Sequence, residues 1–293
     1  MPGGWDHEQV TNDRAARAAE RRWESFPPAP EALPHPVLDS HTHLDIVAQD
    51  GGDPATQIDA AAKVGVDRLV QVGVDVASSR WGVACATDHA AVVATVALHP
   101  NEAPRLSDLD AALAEIAALA QDPRVRGIGE TGLDFFRTGE EGLKPQERSF
   151  RAHIALAKRV GKPLVIHDRD AHADILRVLD DEGAPETVVM HCFSGDEVFA
   201  AECVRRGFVL SFAGTVTFKN APQLRAAAAL TPPEQILVET DAPYLTPMPH
   251  RGRPNASYLI PLTVRALAEA KGMPLAEMCH AISDTGNRVF GPW

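Results

Sequence analysis

The sequence predicts an α/β fold, a (β/α)8 TIM-type barrel, and three observations carry the prediction. From Val37 onward, short β-branched or apolar runs alternate with alanine-rich stretches of helical spacing. The alternation occurs eight times in about 250 residues, which suits a closed barrel. No GxGxxG or GxxxxGKS/T loop follows the first strand, where a doubly wound open sheet often places one.

The strands are expected at Val37–His41, Arg68–Gly73, Val92–Leu98, Val125–Glu130, Pro163–His167, Thr187–His191, Phe208–Phe212 and Ile236–Thr240. Helices are expected near 55–64, 77–90, 107–121, 146–160, 171–182, 196–206, 221–229, 258–271 and 274–285. Residues 1–34 read as a flexible extension, because "FPPAPEALPHP" is too proline-rich for a helix or a central strand. Residues 12–24 within it could form a short helix. The barrel domain is assigned to residues 35–293.

Composition excludes several classes. No apolar run approaches the roughly 20 residues needed to span a bilayer. The N-terminus lacks the basic-then-apolar order of a secretory signal. Cys85, Cys192, Cys203 and Cys279 lie far apart with no CxxC pair, so neither a zinc knuckle nor a disulfide framework is indicated. The cytoplasm is the expected compartment, and nothing implies a membrane or a stable protein partner. The net charge of −12 argues against broad adhesion to nucleic acid, which needs many Lys and Arg contacts. It leaves cleavage at one local cleft open.

The strand ends carry the chemistry. "VLDSHTH" ends the first strand, "GIGETGLD" the fourth, "PLVIHDRDA" the fifth, "VVMHCFSG" the sixth and "ILVETDAPYL" the eighth. Each apolar run breaks off at a potential ligand: His41 and His43, Glu130, His167, His191 and Asp241. Residues two apart on a strand project together, so His41 and His43 share a side. Strand C-termini meet at one rim of a barrel, where active sites sit. Nitrogen and carboxylate donors without thiolates suit zinc, manganese or iron-group ions, and magnesium less well. Two ions are expected: His41, His43 and Asp241 on one, His167 and His191 on the other, and Glu130 bridging. A pair of ions about 3.5–4 Å apart suits phosphoryl displacement and lowers the pKa of a bound water to about 7. Asp241 could accept a proton from that water.

With "DSHTHLD", "GIGETGLDFFR", "VIHDRDA", "HCFSG", "ETDAPYLTP", "HRGRPN" and "GNRVF", the chain resembles the TatD family of metal-dependent hydrolases, within the amidohydrolase-like barrels, from about Val37 to Phe290. The resemblance implies phosphodiester hydrolysis of DNA, in many members from the 3′ end of single strands. It implies one to three divalent ions, of which two (Mg2+, Mn2+ or Zn2+) are expected here, with a third left open. His41, His43, Glu130 and Asp241 would hold the first ion, and Glu130, His167 and His191 the second. Glu130 stands where dihydroorotase-like relatives use a carbamylated lysine. Two departures stand out: Ala256 and Ser257 precede Tyr258 where the family commonly has an acid and a proline, and the extension before Pro36 is unlike the usual start.

Other positions bear on substrate. His99 closes the third strand in "VALHPNE", where a phosphate contact and a structural hydrogen bond are both open. Arg137, Arg169, His250, Arg251 and Arg253 follow strands four, five and eight and could meet phosphates; Tyr244 could line the cleft. Glu239 should point into the barrel and needs a partner that the sequence does not reveal. A DNA phosphodiesterase leads the functional readings. The same site could instead hydrolyse an ester or amide, including D-aminoacyl-tRNA, and a non-catalytic metal-binding scaffold is the third reading.

Overall fold

Eight runs rich in valine, isoleucine and leucine become the eight parallel strands of a (β/α)8 barrel, in sequential order. The computed structural model describes residues 26–293. The strands are β1 (Val37–Thr42), β2 (Val66–Val72), β3 (Val92–Val96), β4 (Val125–Asp134), β5 (Leu164–Arg169), β6 (Val188–Met190), β7 (Val209–Phe212) and β8 (Ile236–Val238). Their side chains are apolar on both faces because helices cover the outside and packed side chains fill the inside. All five residues of β3 and all four of β7 are buried, as that arrangement requires.

The barrel closes beyond the last regular pair of β8. Asp241 N donates to His41 O at 2.9 Å, and His43 N donates to Ala242 O at 2.9 Å. Asp39 reinforces the seam: its carboxylate accepts the backbone N–H of Thr240 at 2.9 Å and the Thr240 hydroxyl at 2.5 Å. Burial pushes this carboxyl up to about 7, against the pull of those hydrogen bonds.

Ten helices are described: α1 (Leu44–Gln49), α2 (Pro54–Ala62), α3 (Val76–Asp88), α4 (Leu109–Leu119), α5 (Glu140–Val160), α6 (His172–Glu182), α7 (Glu197–Arg205), α8 (Pro222–Leu230), α9 (Ile260–Lys271) and α10 (Leu275–Phe290). Side-chain caps start several of them. Asp53 accepts N–H groups at the start of α2, and Asp75 forms a reciprocal box with Ser78 at the start of α3. None of the described helices is long and apolar enough to cross a membrane.

Two differences from the sequence reading matter for the site. The fourth strand runs on to Asp134 rather than stopping at Glu130. Glycines allow this: a Cβ on Gly132 would lie 2.0 Å from His167 O, so only glycine lets β4 run so close to β5. The short α1, directly after His43, was not expected.

The suggested helix at 12–24 lies outside the described residues. The later part of the proposed extension is bonded to the barrel. Leu33 is buried and donates its N–H to Val64 O at 3.0 Å, and the Tyr258 hydroxyl donates to Pro27 O at 2.6 Å.

Candidate metal centre

Residue alternation along β1 sends His41 and His43 toward the barrel mouth, their rings edge to face with centroids 5.1 Å apart. His41 is fully buried and stacks on His191 at 3.6 Å. Glu130, from β4, sits at the centre of the cluster. Its Oε2 lies 3.4 Å from His41 Nε2. Its Oε1 lies 2.6 Å from His167 Nδ1 and 3.4 Å from His191 Nε2. Asp241 approaches from the far side, with Oδ1 3.4 Å from His43 Nε2 and 3.7 Å from His41 Nε2. All six residues expected as ligands thus lie in one chain of contacts.

Within it, ligand atoms gather as His41–His43–Asp241, as His41–Glu130–His191 and as His99–Glu130–His167. His191 therefore lies against His41 and Glu130, while its ring centroid is 6.3 Å from that of His167. His99 enters the cluster with its Nε2 3.4 Å from Glu130 Oε1. Its other nitrogen is occupied: Asn101 N donates to His99 Nδ1 at 3.0 Å. A backbone N–H can only donate, so the hydrogen of the His99 ring sits on Nε2. His99 thus presents a donor to the cleft, and its place in the third group is not that of a ligand.

Two carboxylates complete the site. Asp134 Oδ2 lies 3.2 Å from His167 Nε2, and Oδ1 accepts the N–H groups of Phe136 and Arg137 at 3.0 and 2.9 Å. Asp134 was visible in "GETGLD", but ending the strand at Glu130 hid its role. Glu239, whose partner the sequence could not supply, faces His191 Nδ1 at 2.9 Å, off the axis of an ideal hydrogen bond.

The electrostatics follow from this crowding. Burial alone would raise the Glu130 carboxyl, but His191, His99 and His167 hold it well below the usual range. Burial would lower His167, yet Asp134 and Glu130 raise it to about 9. Burial and the neighbouring His191 lower His41. Asp241 stays below the usual carboxylate range because His43, His191 and His41 outweigh its burial. The backbone is also unusual here, since Asp241 has φ 53° and Cys192 has φ 44°. Non-glycine residues in this region are uncommon and gather at functional sites.

The residues fit a divalent cation. Both ring nitrogens of His41 and Nδ1 of His43 are buried without a hydrogen-bond partner. Leaving a buried polar atom unpaired costs about 1–3 kcal/mol. A cation beside Asp241 and Glu130 would use the imidazole lone pairs facing it. Cys192 lies within ligand range of His191 and Glu239, but burial and the nearby carboxylates push its thiol well above the ordinary value.

The remaining candidates scatter around the rim. The Arg169 guanidinium lies 4.1 Å from the Phe136 ring, and Arg251 lies 4.5 Å from that of Phe218. Arg137 and Tyr244 are exposed. His250 N closes a turn on Pro247 O at 2.9 Å. Arg253 donates to Phe26 O at 2.6 Å, which ties it to the N-terminal segment.

A parallel eightfold barrel whose strand ends gather imidazoles and carboxylates around buried, unpartnered nitrogens defines the class of metal-dependent hydrolases. The chain belongs to the TatD related DNase family, whose model matches residues 38–291. It is 46% identical over 260 residues to a Mycobacterium tuberculosis protein named uncharacterized metal-dependent hydrolase TatD, covering 87% of this chain and 98% of that one. A Cronobacter turicensis relative named 3′-5′ ssDNA/RNA exonuclease TatD is 37% identical over 198 residues, covering 67% of this chain and 74% of that protein. Among solved structures, the Escherichia coli TatD homologue YJJV superposes with a TM-score of 0.82 at 27% identity, covering 87% of this chain and 98% of that one.

Proposed function

We propose that the chain is a deoxyribonuclease that uses two divalent ions to remove nucleotides from the 3′ end of single-stranded DNA. The observation that carries the reading is the division of Glu130: Oε2 faces His41, while Oε1 faces His167 and His191. A carboxylate divided in this way suits a bridge between two cations. His41, His43 and Asp241 would hold one ion with Oε2, and His167 and His191 the other with Oε1. Such ions acidify a water molecule and neutralise charge developing on phosphate oxygens.

The protein groups then have separate tasks. Asp241 is ionised and sits at the edge of the cluster, where it accepts the proton that an attacking water loses. His99, with its hydrogen on Nε2, donates to a phosphate oxygen. The exonuclease named in Cronobacter turicensis supports single-stranded nucleic acid as the substrate class.

The test is nucleotide release from 3′-labelled single-stranded DNA by metal-stripped protein, with Mg2+, Mn2+ or Zn2+ restored singly. Release should require a metal, and Asp241→Asn should reduce it by about 100-fold or more while the barrel stays folded. Absence of release with every metal would overturn the nuclease reading and direct attention to ester and aminoacyl-tRNA substrates.

A further inference from the structure

Folding leaves few large apolar side chains in water, and the exceptions are not evenly spread. Among the described residues they are Phe136, Val198, Leu230 and Tyr244. Three of these four follow the C-terminal ends of strands, on the side of the barrel that carries the metal cluster. Phe136 is 65% exposed and Tyr244 is 54% exposed, although each could cover apolar surface elsewhere.

Both rings stand on turns fastened to the site. The Phe136 turn hangs from Asp134, which accepts its N–H with one oxygen and faces His167 with the other. The Tyr244 turn closes on Asp241 O at 2.9 Å, and Asn255 Nδ2 holds Tyr244 O at 2.5 Å. These aromatic positions are therefore fixed relative to the proposed ligands, Phe136 on the β4 side and Tyr244 on the β8 side. Arg169 covers one face of Phe136 at 4.1 Å and leaves the ring otherwise open. Arg251 lies instead over the half-buried Phe218 ring. On a chain of net charge −12, a guanidinium stacked on one exposed ring, with a second exposed ring at the same rim, favours a polyanion that carries flat groups of its own.

We propose that Phe136 is a nucleobase-stacking platform on the β4 side of the metal centre and Tyr244 a second on the β8 side, with Arg169 as the phosphate-facing cation beside Phe136. The proposal rests on the nucleic-acid reading above and narrows it. A base paired inside a duplex has both faces covered, so the site takes an unpaired end. Stacking depends on the π-face that every base shares, so it grips without reading sequence.

The experiment measures binding alone. Fluorescence anisotropy compares a labelled oligothymidylate with an abasic strand of equal length, using the full chain carrying Asp241→Asn. The thymidylate should bind more tightly than the abasic strand. Adding Phe136→Ala should weaken thymidylate binding roughly 10- to 100-fold and leave the abasic strand unchanged. Phe136→Trp should restore the loss. Equal affinity for the two strands, no binding of either, or equal loss on both in Phe136→Ala would overturn the proposal. Because cleavage is not read, a failure of the nuclease assay leaves this result meaningful, and the reverse also holds.

Discussion

Glu239 Oε1 lies 2.9 Å from His191 Nδ1 inside the barrel, so a carboxylate from the strand-eight end backs an imidazole from the strand-six end. A carboxylate behind a ligating histidine fixes its ring and raises its basicity, and loss of such a partner typically costs 10- to 100-fold in metal affinity. Glu239→Gln should weaken metal binding by about that factor in chelator competition, with the far-UV spectrum unchanged. Unaltered affinity would reduce Glu239 to a buried packing residue.

His99 leads to the opposite expectation. Its Nδ1 holds the Asn101 N–H, so His99→Ala should leave metal content unchanged. Loss of one hydrogen bond to a charged oxygen should lower kcat/KM on DNA by about 10- to 100-fold. Elemental analysis decides the point: an ion lost with the side chain would make His99 a ligand.

Gly132 tests the contact between β4 and β5. It has φ 143°, and a Cβ there would lie 2.0 Å from His167 O, a backbone atom with little room to yield. Gly132→Ala should cost at least about 2 kcal/mol and lower Tm by several degrees in a thermal scan. A variant as stable as the parent would show that the two strands can separate without penalty.

His153 should make stability depend on pH. It lies on α5, fully buried, where Nε2 accepts the Leu98 N–H at 3.1 Å and Nδ1 donates to Ser149 O at 2.7 Å. Burial pushes it down from 6.5 to about 4. The unfolded chain therefore takes up this proton first as the pH falls. The stabilisation is complete above pH 6.5 and is lost as the pH falls toward 4, amounting to roughly 3 kcal/mol. Urea unfolding at pH 7 and at pH 4.5 should show a smaller difference for His153→Gln than for the parent. Equal differences would mean that folding leaves His153 near its ordinary value.

The strands were legible because apolar β-branched runs have few other uses in a chain of this composition, and the strand ends were legible because polar residues interrupt them abruptly. What escaped was pairing across the barrel. Nothing local to "LVETD" says that Glu239 meets His191, because the contact arises only when the sixth and eighth strand ends converge. Asp134 escaped for a local reason. The fourth strand was expected to stop at Glu130, whereas Gly129 and Gly132 each remove a side chain that would have kept β4 away from β5. Residues 26–34 read as loose because proline excludes regular structure, but irregular backbone can still be tied down, as Leu33 and Pro27 are.

His41 and Asp241 themselves take part in the seam between the first and last strands, through the bond from Asp241 N to His41 O, beside the His43–Ala242 and Asp39–Thr240 contacts. The same two residues help close the cylinder and furnish the centre. Before the eighth strand docks, His41 and His43 therefore lack both the Asp241 carboxylate and the wall that encloses them.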